Sequence, residues 1–431
     1  MQPDQSQRDT VYRYDLISCH DCGVLHRRRL LAPRDKARCV RCRSVLYRGV
    51  DPDLNRIAAI TMGALIVFLI AQLSPIVRLE MNGNTSTSTL PHAVAIMWGQ
   101  GMRAVSVCVA LFTIVFPAIE LVSVLYVVLG LRSGRQPPGM HWLLRGVRKA
   151  REWGMTEVLM IGILIGLIKM TSMSKVIIQP GLLAFGALTL MMAVEASLDP
   201  RLLWNAADRL GAGAMLAPAE RAALETRAPM VACHDCGLVL AAYANRHGQR
   251  CARCGCKLHR RKPDSIMRTW AYLIAAAILY IPANLLPVLN TDSLYGNKDD
   301  TIISGVVYFW DTGAPELAVI IFVASIVVPM LKLAALSLLT WTAQRRSHWR
   351  PMQRTVLYRM VEFIGRWSML DIFVITVSVA LVRFDAMAMM TPRPGALAFC
   401  AVVVLTMFAA LEFDPRLIWD PVKDKNGVRH V

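Results

Sequence analysis

"SCHDCGVLH" at residues 18–26 returns as "ACHDCGLVL" at 232–240, 214 residues later. A thiol-rich phrase repeated at a fixed offset invites a search for a longer repeat, because internal self-similarity changes the whole fold reading. The repeat extends. Cys39-Val40-Arg41-Cys42 answers Cys251-Ala252-Arg253-Cys254, "LSPIV" at 73–77 answers "LLPVL" at 285–289, Trp98 answers Trp310, and Pro117 answers Pro329. "REWGMTE" at 151–157 matches "GRWSMLD" at 365–371, and "DPRLLW" at 199–204 matches "DPRLIW" at 414–419. The chain is therefore two homologous halves, each opening with paired cysteines.

The 431 residues are 55% hydrophobic with positive mean hydropathy, which points to a membrane protein rather than to two or three soluble domains. Nearly uninterrupted apolar runs lie at about 57–76, 104–131, 156–174 and 181–198, then at about 268–289, 315–341, 370–390 and 395–413. Most are long enough for the ~20 residues that a bilayer helix needs. Buried helices of a large soluble protein would keep a polar stripe and are usually shorter. The fold expected is an α-helical polytopic membrane protein of two homologous halves, each a small β-rich ribbon followed by a bundle of four spanning helices. Its parts are ribbon 1 at 1–50, transmembrane module 1 at 51–205, a linker and ribbon 2 at 206–262, and transmembrane module 2 with a short cytoplasmic tail at 263–431.

A net charge of +18 raises the possibility of nucleic acid, so the positions of the basic residues matter more than their number. They segregate into 1–56, 132–154, 199–268, 342–368 and the stretch after 415, whereas the alternate connections hold only Arg78, Arg103, Lys175, Lys298 and Arg393. By the positive-inside rule both termini and both cysteine modules are cytoplasmic, and the loops at about 77–103 and 288–314 face outward. Orientation accounts for the charge, and nucleic acid is not needed. Residues 1–56 are too polar and too long for the n-region of a cleavable signal peptide.

Cys19, Cys22, Cys39 and Cys42 read C-x2-C-x16-C-x2-C; Cys233, Cys236, Cys251 and Cys254 read C-x2-C-x14-C-x2-C. Both fit a four-thiolate zinc ribbon, in which two tight turns each present a pair of sulfurs. Modules this small lack a self-sufficient core, so two structural Zn²⁺ ions would supply most of their folding energy. A dithiol redox catalyst is the alternative, although that usually places one pair on a βαβ scaffold. His20 and His234 lie between cysteines and can ligate, but four thiolates already fill each site. Cys256 is a spare thiol able to replace Cys254. Cys108 and Cys400 read as small apolar fillers of spanning helices.

Two halves of this kind, with "CHDCG", "SP" or "LP" at the end of the first helix and "DPR-LW" after the fourth, resemble the paraquat-inducible protein A family over nearly the whole chain. Length and two complete ribbons look closer to its LetA branch. The resemblance implies a bacterial inner-membrane component that works with a periplasmic MCE-domain protein, which forms a ring-built tunnel carrying lipids across the envelope.

Charged residues at membrane depth are costly and mark pathways or proton relays. Lys332 lies one turn after Pro329, Ser325 seven residues earlier on the same face, Asp371 near the start of the seventh helix with Ser368 before it, and Thr406 midway along the eighth. Lys332 paired with Asp371 among hydroxyls would be a tolerable intramembrane cluster; a snorkelling Lys332 and an interfacial Asp371 is the other reading. The first half has Glu120 and Glu157 in these places, two acids that would repel unless Lys169 reaches them. The transport site is therefore expected in the second half. Pro117 and Pro329 either free a carbonyl toward a cavity or simply kink their helices.

The sequence has no G-x-x-x-x-G-K-[ST], G-x-S-x-G or H-E-x-x-H motif, so no enzyme is expected. The leading expectation is a subunit that transports lipid, a phospholipid by family resemblance, to or from a periplasmic tunnel. A scaffold that only anchors such a tunnel and a membrane thiol oxidoreductase are the alternatives.

Overall fold

The computed structural model describes residues 16–422 except 30, 33–34, 50–52, 82–83, 172–174, 198–200, 209, 211–229, 242–249, 294–295, 312, 314, 382 and 385–387. The linker expected before ribbon 2 and the cytoplasmic tail lie largely outside the described residues.

Ribbon 1 is two antiparallel hairpins, β1 (Leu16–Ser18) with β2 (Leu25–Arg27) and β3 (Lys36–Arg38) with β4 (Val45–Arg48). Helix α1 (Leu54–Leu73) starts where the Asp53 carboxylate accepts from the Asn55 amide at 2.9 Å, satisfying a donor that the first turn leaves free. It stops at Ser74 because Pro75 disfavours helical backbone in the residue before it. The hairpin β5 (Val77–Met81) and β6 (Asn84–Ser88) follows, then the short helix α2 (Leu90–Gly99). Helix α3 (Arg103–Arg132) is interrupted by a π-helical turn at Leu111–Val115. Helix α4 (Met140–Trp153) buries Met140, Leu144, Val147 and Ala150 along one face and leaves Trp142 exposed. Helix α5 (Thr156–Thr171), β7 (Lys175–Ile178), α6 (Pro180–Ala196) and α7 (Arg201–Ala207) complete the module.

Ribbon 2 has β8 (Met230–Ala232) paired with β9 (Val239–Ala241), and a single bridge between Arg250 and Lys257. The second module repeats the order of the first: α8 (Ser265–Leu285), the hairpin β10 (Leu289–Ser293) and β11 (Gly296–Asp300), α9 (Ile302–Asp311), α10 (Ala318–Gln344), α11 (Pro351–Trp367), α12 (Leu370–Leu381), β12 (Arg383–Phe384), β13 (Ala388–Pro392) and α13 (Pro394–Glu412).

The loops expected to face outward are more than loops. The strand after each third helix joins the hairpin, giving sheets ordered β6-β5-β7 and β11-β10-β13-β12. Each fourth helix then starts against the end of the first. The Gly181 amide donates to the Pro75 carbonyl and the Gly395 amide to Pro287, both at 3.0 Å. A Cβ at either glycine would meet that carbonyl oxygen at 2.4 or 2.5 Å, so only glycine fits. The proline motifs thus mark the crossing point of two helices in each half.

Helices stand at all eight expected places, but not all are long enough to span. Among the described residues α1, α3, α8, α10 and α13 are long and apolar enough, and α6 with α7 makes a sixth candidate bent by 59°. Helices α5 and α12 have 16 and 12 residues. At about 1.5 Å per residue α12 is only about 18 Å long, against a hydrocarbon core of ~30 Å. Their apolar residues meet one another. Met155, Leu159 and Ile163 of the α5 segment share one buried core with Met369, Ile372 and Phe373 of the α12 segment, and a Cβ on Gly162 would sit 3.0 Å from that of Phe373. These two helices form the seam between the halves, and the runs continue into strands. On the long helices Leu73, Leu183, Ile278, Leu285 and Leu331 stay exposed, an apolar surface suited to lipid and not to water.

The ribbons cross over. Cys19, Cys22, Cys39 and Cys42 are buried with Leu339 of α10, Tyr358 of α11, Phe413 and Trp419, all from the second half. The ribbon 2 cysteines are buried with Ile57 of α1, Val127 of α3, Leu144 of α4 and Trp204 of α7, all from the first. Equivalent residues make equivalent contacts: Asp21 with Arg359 at 2.6 Å and Asp235 with Arg145 at 3.2 Å, then Arg41 over Trp419 at 4.7 Å and Arg253 over Trp204 at 5.4 Å. The two ribbons also touch, with the His20 and His234 rings 5.9 Å apart.

Candidate functional site

Four copies of one turn hold the thiols. In each, the amide four residues after the leading cysteine donates back to that cysteine's carbonyl: Gly23 to Cys19, Arg43 to Cys39, Gly237 to Cys233 and Gly255 to Cys251, at 2.8–3.0 Å. Each donor has positive φ, between 58° and 74°, which glycine adopts freely and which Arg43 adopts at a cost. Sulfurs of different turns approach one another, Cys19 and Cys42 at 3.3 Å, and Cys22 and Cys39, Cys233 and Cys254, and Cys236 and Cys251 at 3.5 Å. A tetrahedron with zinc–sulfur bonds of ~2.3 Å has edges of about 3.8 Å, so slight opening of each cluster admits an ion. The two buried four-cysteine clusters are therefore able to hold a metal ion each.

His20 and His234 lie outside both sets of metal-capable ligands. Burial raises the Asp21 carboxyl, but the neighbouring His20 and Arg359 outweigh it and hold it below its ordinary value, so Asp21 stays ionised at the docking surface. Cys256 stands beside the second cluster, 3.1 Å from Cys233 and 3.3 Å from Cys254. In ribbon 1 the same place belongs to Ser44, 3.0 Å from Cys19 and 3.3 Å from Cys42.

Of the expected transport cluster, Lys332, Ser325, Ser368 and Thr406 are all buried. Thr406 donates to the Val403 carbonyl at 2.9 Å. The Lys332 ammonium and the Ser368 hydroxyl have no hydrogen-bond partner among the described residues. Asp371 belongs to α12, and its side chain lies outside the described residues.

The first half is arranged differently from expectation. Glu157 is exposed, and the Lys169 side chain is outside the described residues. Glu120 is buried and ion-pairs with Arg151 of α4, Nε to Oε1 at 2.6 Å. The second buried acid is Glu195 of α6, which accepts from the Thr61 hydroxyl at 2.6 Å and has its other oxygen unpartnered among the described residues. Glu195 is the single acidic residue of the run 180–196. That was its sequence signal, hidden by its place near the expected helix end. In the repeat, Arg151 and Glu120 correspond to Gly365 and Lys332. The Arg that reaches down to an acid in one half is replaced by a glycine against which a lysine reaches up in the other: a Cβ on Gly365 would lie 3.5 Å from Lys332 Cε and Nζ.

Gly365 also lines a cavity of about 270 Å³ between the halves, together with Arg148, Arg151 and Glu152 of α4, Glu362 of α11, and Ala410 of α13. Basic groups of the first half and acidic groups of both halves meet there. Nearby, Trp153 stacks on Phe112 at 5.4 Å and tilts onto Phe408 at 4.9 Å, joining α4 of one half to α13 of the other. Lys262 lies on the same side. Burial lowers its ammonium against the opposing pull of Asp414, Glu152 and Glu412.

Pro117 and Pro329 each follow a five-residue π-helical turn, at 111–115 and 323–327, and the helix continues past them. A π turn releases carbonyls from the regular ladder. Here the protein takes them up: Phe112 O accepts from the Met155 amide at 3.4 Å and Ile326 O from the Tyr280 hydroxyl at 3.2 Å.

The family model of paraquat-inducible protein A matches residues 54–208 and 266–423. The chain is 32% identical to the intermembrane transport protein PqiA of Escherichia coli K12 across 94% of this chain and 95% of that one. It is 30% identical to the lipophilic envelope-spanning tunnel protein A of the same organism, across 96% and 93%, and 28% identical to a probable intermembrane transport protein of Haemophilus influenzae, across 94% and 96%. The first two identities are too close to place the chain nearer one branch, as its length and ribbons had indicated. No solved structure matches. With both modules matched and the similarity running almost end to end, the chain belongs to the paraquat-inducible protein A family.

Proposed function

We propose that this protein is a transport subunit of the bacterial inner membrane, not an enzyme, that passes phospholipid to or from a periplasmic tunnel formed by an MCE-domain protein. The observation that carries the reading is the buried Lys332 ammonium, which has no hydrogen-bond partner among the described residues and is set against the glycine that lines the cavity between the halves. An ammonium in apolar surroundings costs several kcal/mol unless a counter-charge joins it. A lipid phosphate is such a counter-charge, and Asp371 is a second. The cavity's mixture of arginines and glutamates suits a headgroup bearing both signs, and the relatives' names support movement between membranes.

Both clusters are read as structural zinc sites. Four buried thiolates suit Zn²⁺, which favours sulfur and imposes no geometry of its own beyond the tetrahedron. The segregation of basic residues supports cytoplasmic ribbons and outward-facing sheets.

The test is growth under envelope stress in cells lacking parallel lipid pathways, with protein level and partner retention measured alongside. Lys332→Ala and Asp371→Ala should each abolish lipid transport while the protein stays abundant and keeps its partner. Normal growth of both variants would overturn the transport reading in favour of a scaffold.

A further inference from the structure

The two ribbons are near copies, yet the second cluster holds five thiols where the first holds four and a hydroxyl. The fifth is built into the site. Cys256 is 7% exposed, its sulfur lies within reach of two of the four paired thiols, and its place in the repeat is filled by Ser44 at matching distances. A sulfur 3.1 Å from Cys233 needs little side-chain rotation to reach disulfide bonding distance, about 2.05 Å. A cavity of about 450 Å³, lined by Cys251, Cys254, Gly255, Arg145 and Trp204, opens this turn to small solutes.

We propose that Cys256 is an oxidation site that makes the second metal centre, and not the first, release its ion to hydroperoxides. It rests on the reading of both clusters as zinc sites. With four thiolates on the ion, Cys256 is the thiol left over. A hydroperoxide transfers its terminal oxygen to the Cys256 sulfur: the S–O bond forms, the O–O bond breaks, and the alcohol or water leaves with a proton. The Cys233 sulfur then attacks that sulfur, the S–S bond forms, and hydroxide departs and is protonated to water. One thiol and one metal-bound thiolate lose two electrons in all, the thiol supplies one proton and solvent the other, and the hydroperoxide is reduced. The ion, stripped of Cys233, is left with three sulfurs. Ribbon 2 then loses the folding energy that metal binding supplies, and with it the surface that docks on the first module. Ser44 forms no disulfide, so ribbon 1 lacks this route.

The experiment uses the purified full chain in nanodiscs, with hydrogen peroxide as oxidant, a metallochromic dye reading free zinc and peptide mapping reading disulfides. Two zinc ions per chain before oxidation is the outcome the zinc reading needs; none at all defeats that reading first. Given two, low peroxide should release one ion per chain, with a Cys233–Cys256 disulfide. Cys256→Ser should abolish this early release, and Ser44→Cys should make the second ion leave early as well. Simultaneous loss of both ions from the unaltered chain, early release unchanged in Cys256→Ser, or a disulfide that excludes Cys256 would overturn the proposal while leaving the zinc reading standing. Should Cys256→Ser fail to fold, Ser44→Cys decides alone, since an unaltered release from ribbon 1 defeats the proposal too.

Discussion

Glu120 and Lys332 occupy the same place in the two halves, yet their removal should have opposite consequences. Glu120 is held by Arg151, so Glu120→Ala removes the acid of a partly buried ion pair and should cost about 1–3 kcal/mol, seen as lower abundance and lower thermal stability in detergent. Lys332 has no partner among the described residues, and Lys332→Met replaces an ammonium by an apolar chain of similar size. That exchange should leave the melting temperature unchanged or raised while transport is lost. A Lys332→Met variant that melts well below the parent would show that the ammonium is structural. The glycines at the helix crossings make a third case. Gly181→Ala and Gly395→Ala force a Cβ into a backbone oxygen and should each destabilise by about 1–3 kcal/mol, whereas Gly305→Ala, where nothing lies within 4 Å, should cost nothing from crowding.

Elements made of local patterns were legible in the sequence; those made of distant contacts were not. The four cysteine turns follow from cysteine spacing, and the long helices α1, α3, α8, α10 and α13 follow from unbroken apolar runs. A run of apolar residues says that an element avoids water, and not whether its neighbour is lipid or protein. For that reason the apolar runs of α5 and α12 do not announce that the two helices meet at the seam. The pairing of β7 with β5 joins residues about a hundred apart, and no local signal announces it. Arg151 looked like one more cytoplasmic basic residue, because its acid, Glu120, is on another helix. Crossed ribbon docking was equally invisible, since chain order places each ribbon before its own module. The docking ion pairs give a direct check at this scale. Asp21→Arg should loosen ribbon 1, and adding Arg359→Asp should restore it, read as protease protection of residues 16–48. Protection unchanged in the single variant would mean that the apolar contacts with Tyr358 and Trp419 suffice.

At the scale of the whole molecule the crossed ribbons act as two straps over a seam. Each is joined by chain to one half and buried against the other, through Asp21 and Arg359 on one side and Asp235 and Arg145 on the other. On the proposed transport reading the halves must shift without parting, and ribbons docked across the seam limit their separation. On the zinc reading metal ties the straps, because ribbons of this size lose their fold without it. A protease site inserted in the linker at 211–229 tests the arrangement. Cutting there separates the chain into ribbon 1 with module 1 and ribbon 2 with module 2. With metal bound, the fragments should stay together through both crossed dockings and the α5–α12 seam, and a tag on one should retrieve the other. A strong zinc chelator removes the dockings and leaves the seam, so retrieval should fall in the cut protein while the uncut chain stays whole. Fragments that part readily with metal still bound would show that each ribbon serves its own module, and the crossed arrangement would be wrong.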